Sequence, residues 1–107
     1  MLLEEVLQEY LYDCQLRKLS ERTIKSLRNN NKRLFQFLAT TNSIFELEDV
    51  KRVHIQAFVN HMSEMGNKET YVNSMIKCFR GLFRYCEDEG YISRSPMNKV
   101  RFQKEEI

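Results

Sequence analysis

The chain has 107 residues, 17 Lys and Arg against 15 Asp and Glu, a formal net charge of +2, and only 3 Gly and 1 Pro. That length bounds it to one domain with a small core, and no apolar run reaches the roughly 18 residues a membrane-spanning helix needs. The opening MLLEEVLQEY carries acids where a secretory signal needs bases, so the chain as given is expected to be cytoplasmic.

Apolar residues recur at spacings of three and four, and strand-like alternation is scarce, which predicts an all-α fold. The first helix is expected from about Leu2 to Arg17, with Leu3, Val6, Leu7, Tyr10, Leu11 and Cys14 as its apolar stripe. Glu4 and Glu5 in its first turn and Arg17 in its last suit the helix dipole. A second helix opens at Ser20, whose hydroxyl can accept from a free first-turn N–H. Its inward residues are Ile24, Leu27, Leu34, Phe35 and Leu38, with Asn31 interrupting the stripe, and ATTNS at 39–43 is expected to end it. In the connector that follows, Ile44, Phe45 and Leu47 are expected to tuck under the bundle.

A third helix spans about Lys51 to Met65, turns Ile55, Phe58, Val59 and Met62 inward, and stops at Gly66. The fourth is expected from Asn67 to about Glu87, with Val72, Met75, Phe79, Leu82, Phe83 and Cys86 inside, and ends at Gly90. Pro96 then biases Ser95 to extended backbone, and the chain from about Lys99 is expected to leave the bundle as a mobile tail.

Cys14, Cys78 and Cys86 show no CxxC spacing, and eight helical residues hold Cys78 and Cys86 about 12 Å apart, too far to bridge. They read as reduced, half-buried thiols. His54 and His61 lack companions at ligand spacing, so no metal or other cofactor is expected.

The modest net charge conceals segregation. Residues 20–40 hold five basic side chains against one acidic, a net +4, and residues 67–86 hold four against one, a net +3. The other segments are net negative. Removing the apolar stripe from the second helix leaves Arg22, Lys25, Ser26, Asn29, Lys32, Arg33 and Gln36. The same subtraction on the fourth leaves Thr70, Asn73, Ser74, Lys77, Arg80, Gly81 and Arg84. An ordinary solvated helix face mixes Glu with Lys at i,i+4, yet neither face holds a carboxylate beyond its first turn.

Both helices also open alike, on Ser20-x-x-Thr23 and Asn67-x-x-Thr70, with Lys68 beside the second start. Helix N-termini present free N–H groups to phosphates, and Arg, Asn, Ser and Thr bond to phosphates and base edges. The pattern points to an anionic partner. The aromatics Tyr71, Phe79, Phe83 and Tyr85 read as core and rim packing.

At this point the residues resemble a known family. YLYDCQLRKLSERTIKSLRNNNKRLFQFL, the GNKET start, the RGLFRY helix and the GYISRSP ending follow, in order, the pattern of the core-binding domain of tyrosine recombinases, the phage and transposon integrases. The resemblance covers about residues 2–104; Ser95 stands where the family usually has Asn before the Pro. It implies a SAM-like, orthogonal four-helix bundle over residues 1–98, with 99–107 as the start of a linker to a C-terminal catalytic domain. It also implies a clamp half that lays its second and fourth helices on double-stranded DNA, within a parent that assembles as a tetramer there. The chain lacks an Arg…His-x-x-Arg…Tyr order, so it is expected to be catalytically silent and, alone, monomeric. The expected contacts are Ser20, Arg22, Thr23, Lys25, Ser26, Asn29, Lys32 and Arg33, with Lys68, Thr70, Asn73, Ser74, Lys77, Arg80 and Arg84. The alternatives are a protein-interaction bundle and a small free-standing DNA-binding regulator.

Overall fold

The computed structural model describes residues 1–105. Four helices form it: α1 (Leu3–Leu16), α2 (Glu21–Asn42), α3 (Arg52–Glu64) and α4 (Glu69–Asp88), with a single 3-10 turn at Leu47–Asp49. Among the described residues the only strand-like pairing is one isolated bridge, Leu2 to Glu46. The fold is the all-α, four-helix architecture the apolar periodicity predicts.

The expected stripes of α1 and α3 are the buried ones, residue for residue. In α2, Ile24, Leu34, Phe35 and Leu38 are buried, Leu27 is half-buried, and Asn31 is fully buried among them. α4 buries more than its stripe, adding Asn73, Ile76 and Cys78, because it packs against all three other helices. An aromatic chain links them: Phe37 of α2 meets Phe58 of α3 edge-on at 5.2 Å, and Phe58 meets Phe79 of α4 at 5.7 Å. All three cysteines are free and buried.

Each helix ends in the same way, with a backbone N–H reaching back five or six residues to cover an orphan carbonyl. The bonds are Leu19 N to Cys14 O (3.1 Å), Ile44 N to Leu38 O (3.1 Å), Asn67 N to Met62 O (3.2 Å) and Tyr91 N to Cys86 O (2.9 Å). The left-handed residue this turn requires is Gly66 and Gly90 at two ends, but Lys18 (φ 63°) and Ser43 (φ 54°) at the others. α2 thus ends inside ATTNS as expected, running through Asn42 because the left-handed turn comes only at Ser43.

Two expectations are corrected here. Phe45 does not tuck under the bundle: it is 57% exposed, while Ile44 and Leu47 on either side are buried. Its contribution is its carbonyl, which accepts from Leu3 N at 3.0 Å. Nor does the chain leave the bundle at Lys99. Met97 is buried and Val100 is 1% exposed. Arg80 Nη2 donates to Val100 O (2.8 Å), and its guanidinium lies 4.1 Å from the Phe102 ring centre. Gln103 bonds to Asn73 of α4 and to Ser63 of α3. Packing therefore extends along α4 through residue 105; residues 106–107 of the expected linker lie outside the described residues.

Candidate nucleic-acid interface

α2 begins as expected. The Ser20 hydroxyl oxygen accepts from Thr23 N at 3.1 Å and donates to Thr23 Oγ1 at 2.9 Å. The start of α4 differs. Its N-cap is Lys68, without a side-chain cap bond, and Asn67 instead donates its amide to Met62 O at 2.9 Å. Asn67 closes α3 rather than opening α4, because Gly66 takes the left-handed position and the residue after it completes that turn. The Gly–Asn pair was the available signal. The likeness of the two helix starts is one of sequence, not of capping.

α2 and α4 lie side by side. Asn31 donates to Leu27 O (2.8 Å) and, across the interface, to Cys78 O (3.5 Å); Asn30 donates to Cys78 Sγ (3.4 Å). Nearer the start of α4, the Arg33 guanidinium donates to the Tyr71 hydroxyl and sits 5.9 Å from its ring centre. Ser26, Asn29 and Arg33 repeat at three and four residues, so the α4-facing flank of α2 carries them all. Asn31 keeps a buried oxygen without a partner. A lone polar pair in an apolar seam fixes which turn of α2 meets Cys78, as a buried Asn does in coiled coils.

On α2, Ser20, Arg22, Thr23, Lys25, Ser26, Asn29, Lys32 and Arg33 are all exposed; on α4, so are Lys68, Thr70, Ser74, Lys77, Arg80 and Arg84. They do not all share one surface. Lys32 lines a cleft with Glu4, Phe35 and Phe45 on the flank of α2 away from Arg33. Arg84 shares a cleft with Asp13, Asp88 and Glu89. α1 and the last turn of α4 supply there the carboxylates that the rest of the α4 face lacks.

Asn73 and Gly81 are not freely exposed: the first is buried and the second half-buried. Asn73 is 6% exposed. Its carboxamide clasps the Gln103 backbone, with Nδ2 donating to Gln103 O (2.9 Å) and Oδ1 accepting from Gln103 N (2.7 Å). Gly81 lies under Tyr10, so close that a methyl there would meet the phenol oxygen at 2.5 Å. What remains in common is Arg22, Ser26, Asn29 and Arg33 on α2 beside Thr70, Ser74 and Lys77 on α4, with Tyr71 between them.

Comparison with known proteins agrees with this fold. A family model described as the phage integrase SAM-like domain matches residues 2–104. The chain is 27% identical over 105 residues to a tyrosine recombinase of Pseudothermotoga lettingae, covering 95% of this chain and 36% of that protein. It thus spans about a third of the length of the curated relative it matches. The solution NMR structure of an integrase-like domain from Bacillus cereus superposes with a TM-score of 0.75 over 94% of this chain and 81% of that one, at 20% identity, a likeness of fold. Among the described residues no helix is long and apolar enough to cross a membrane, and no cluster of metal-binding side chains occurs.

Proposed function

The chain belongs to the phage integrase SAM-like domain family, and from that premise we propose that it is the DNA-binding, core-binding half of a site-specific tyrosine recombinase. It holds one side of a duplex at the recombination site during integration and excision; strand cleavage and joining belong to a separate catalytic domain of the parent protein. The observation that carries this reading is the packing of α2 against α4, two helices whose exposed basic residues have no carboxylate between them after the first turn. The contact between α2 and α4 supports one duplex lying across both helices.

With about six phosphates within reach, released counterions should make log K fall with log salt at a slope of roughly −5. Fluorescence anisotropy with a labelled duplex, repeated across salt concentrations, measures it. Arg22→Ala and Lys77→Ala should each weaken binding to all sequences alike and flatten the slope by about one unit. Asn29→Ala should instead relax preference at single base pairs, at about 1–3 kcal/mol for a good bidentate contact. Binding that ignores salt, or NMR shifts that fall on α1 and Glu46–Asp49 while α2 and α4 stay still, would refute the assignment.

A further inference from the structure

The basic faces of α2 and α4 are not the only concentration of positive charge. Between the start of α3 and the turn after α4 lies a cleft of about 500 Å³ lined by Lys51, Arg52, Arg94 and Lys99. These cations come from stretches whose net charge is negative in the sequence, so only folding brings them together. None makes an ion pair among the described residues. Lys51 Nζ reaches just the Glu48 carbonyl, at 3.4 Å. The one carboxylate of the cleft, Glu48, is bonded to the Met1 amino group at 2.9 Å.

The turn that carries Arg94 and Lys99 is braced. Ser95 N donates to Glu87 Oε2 (2.7 Å), the Ser95 hydroxyl accepts from Met97 N (3.1 Å), and Val100 N donates to Met97 O (3.0 Å). Ser95, Met97 and Val100 are buried, which leaves Arg94 and Lys99 exposed on either side of an anchored loop. Charges held on an anchored backbone lose less freedom on binding a fixed array of anions than charges on a loose loop. Ser95 and Asn98 also line the next cleft along, which Arg80 and Arg84 border together with Glu87 and Asp88. The cationic cleft therefore adjoins the end of α4.

We propose that Lys51, Arg52, Arg94 and Lys99 form a second phosphate-binding patch that engages the DNA backbone beyond the reach of α2 and α4, lengthening the footprint of the domain. The patch rests on the DNA-binding reading above. It takes phosphodiester oxygens, not base edges, because Lys and Arg in an open cleft position a duplex without reading it.

The test compares three proteins with the unaltered chain on one duplex between about 50 and 200 mM salt: Arg94→Gln with Lys99→Gln, Arg52→Gln alone, and Lys77→Gln on α4. The double variant should flatten the salt slope by about two units and weaken binding roughly ten- to sixty-fold at about 0.1 M salt, from about 0.9 log unit per phosphate and decade of salt. Arg52→Gln, on a different element, should flatten it by about one unit. Amide shifts at Arg52, Arg94 and Lys99 should accompany binding. If Lys77→Gln weakens binding while the other two variants match the unaltered chain, the patch is overturned and the α2–α4 interface stands. If no variant alters binding, the DNA-binding reading falls, and the patch with it.

Discussion

Asn73 and Asn29 make a matched pair for testing the structure against the sequence. Both sit on helices whose polar residues face an expected DNA surface, yet Asn73 is buried in a clasp on Gln103 and Asn29 is exposed. Asn73→Ala removes three hydrogen bonds, two to the Gln103 backbone (2.9 and 2.7 Å) and one to the Glu105 carboxylate (3.2 Å). Each such bond contributes about 0.5–1.5 kcal/mol net. Gln103 is only partly buried, so water can reach its released groups and the loss stays near the lower end, about 1–2 kcal/mol in all. The better helix propensity of Ala returns roughly 0.5 kcal/mol. The net cost is about 1 kcal/mol, which in a domain of this size lowers the melting temperature by roughly 4–8 °C. Asn29→Ala loses no bond and should melt at or slightly above the unaltered protein. Thermal melts followed by circular dichroism give both values, and amide exchange reports the Gln103 N–H directly. Should Asn73→Ala melt with Asn29→Ala, or the Gln103 amide exchange like an open one in the unaltered chain, the clasp is not holding the tail.

Gly81→Ala should gain about 1 kcal/mol of helix propensity yet lose about 1–3 kcal/mol to overpacking, since its methyl would meet Tyr10 Oη at 2.5 Å. Urea unfolding should show a net loss, and Tyr10→Phe in the same background should recover part of it; no loss would mean that Tyr10 moves freely. Lys18→Gly should stabilise by roughly 0.5–1 kcal/mol, because Lys18 holds a left-handed φ of 63° that glycine adopts without strain; a destabilised variant would show that the Lys side chain contributes more than its backbone costs. At high pH, burial pushes the Tyr85 phenol and the Cys86 thiol up to about 12, and the bond to Glu9 raises Tyr91 to about 12. The folded protein thus holds protons that the unfolded chain releases, so this stability is present below the ordinary thiol and phenol values and is lost as pH rises through about 12. Urea midpoints that stay constant from neutral pH to about pH 11 would contradict this.

Apolar periodicity is a local property, and it carried the helices and most of the core: the stripes of α1 and α3 are buried as read. Capping is local too, and Ser20 caps α2. The start of α4 was misread although its signal was equally local, since a glycine in the left-handed position commits the next residue to the helix before it. The core faces of α2 and α4 were largely legible as well, because an apolar stripe orients what lies opposite. The edges of that opposite face were not. At a helix flank, exposure depends on which distant segment returns to cover it, and nothing in the sequence near Asn73, Gly81 or Arg84 says that Gln103, Tyr10 and Asp13 do so.

The sequence by itself determined four helices, their inward faces, and two helices with a basic surface free of carboxylates, all consequences of side chains within a few turns of one another. Tertiary structure alone decided that α2 and α4 lie side by side through Asn31 and Cys78, that Asn73 holds the tail, and that Lys51 and Arg52 meet Arg94 and Lys99. Electrostatic and hydrogen-bonding partners act through space over a few ångströms, and the chain closes those distances only when the whole core has formed.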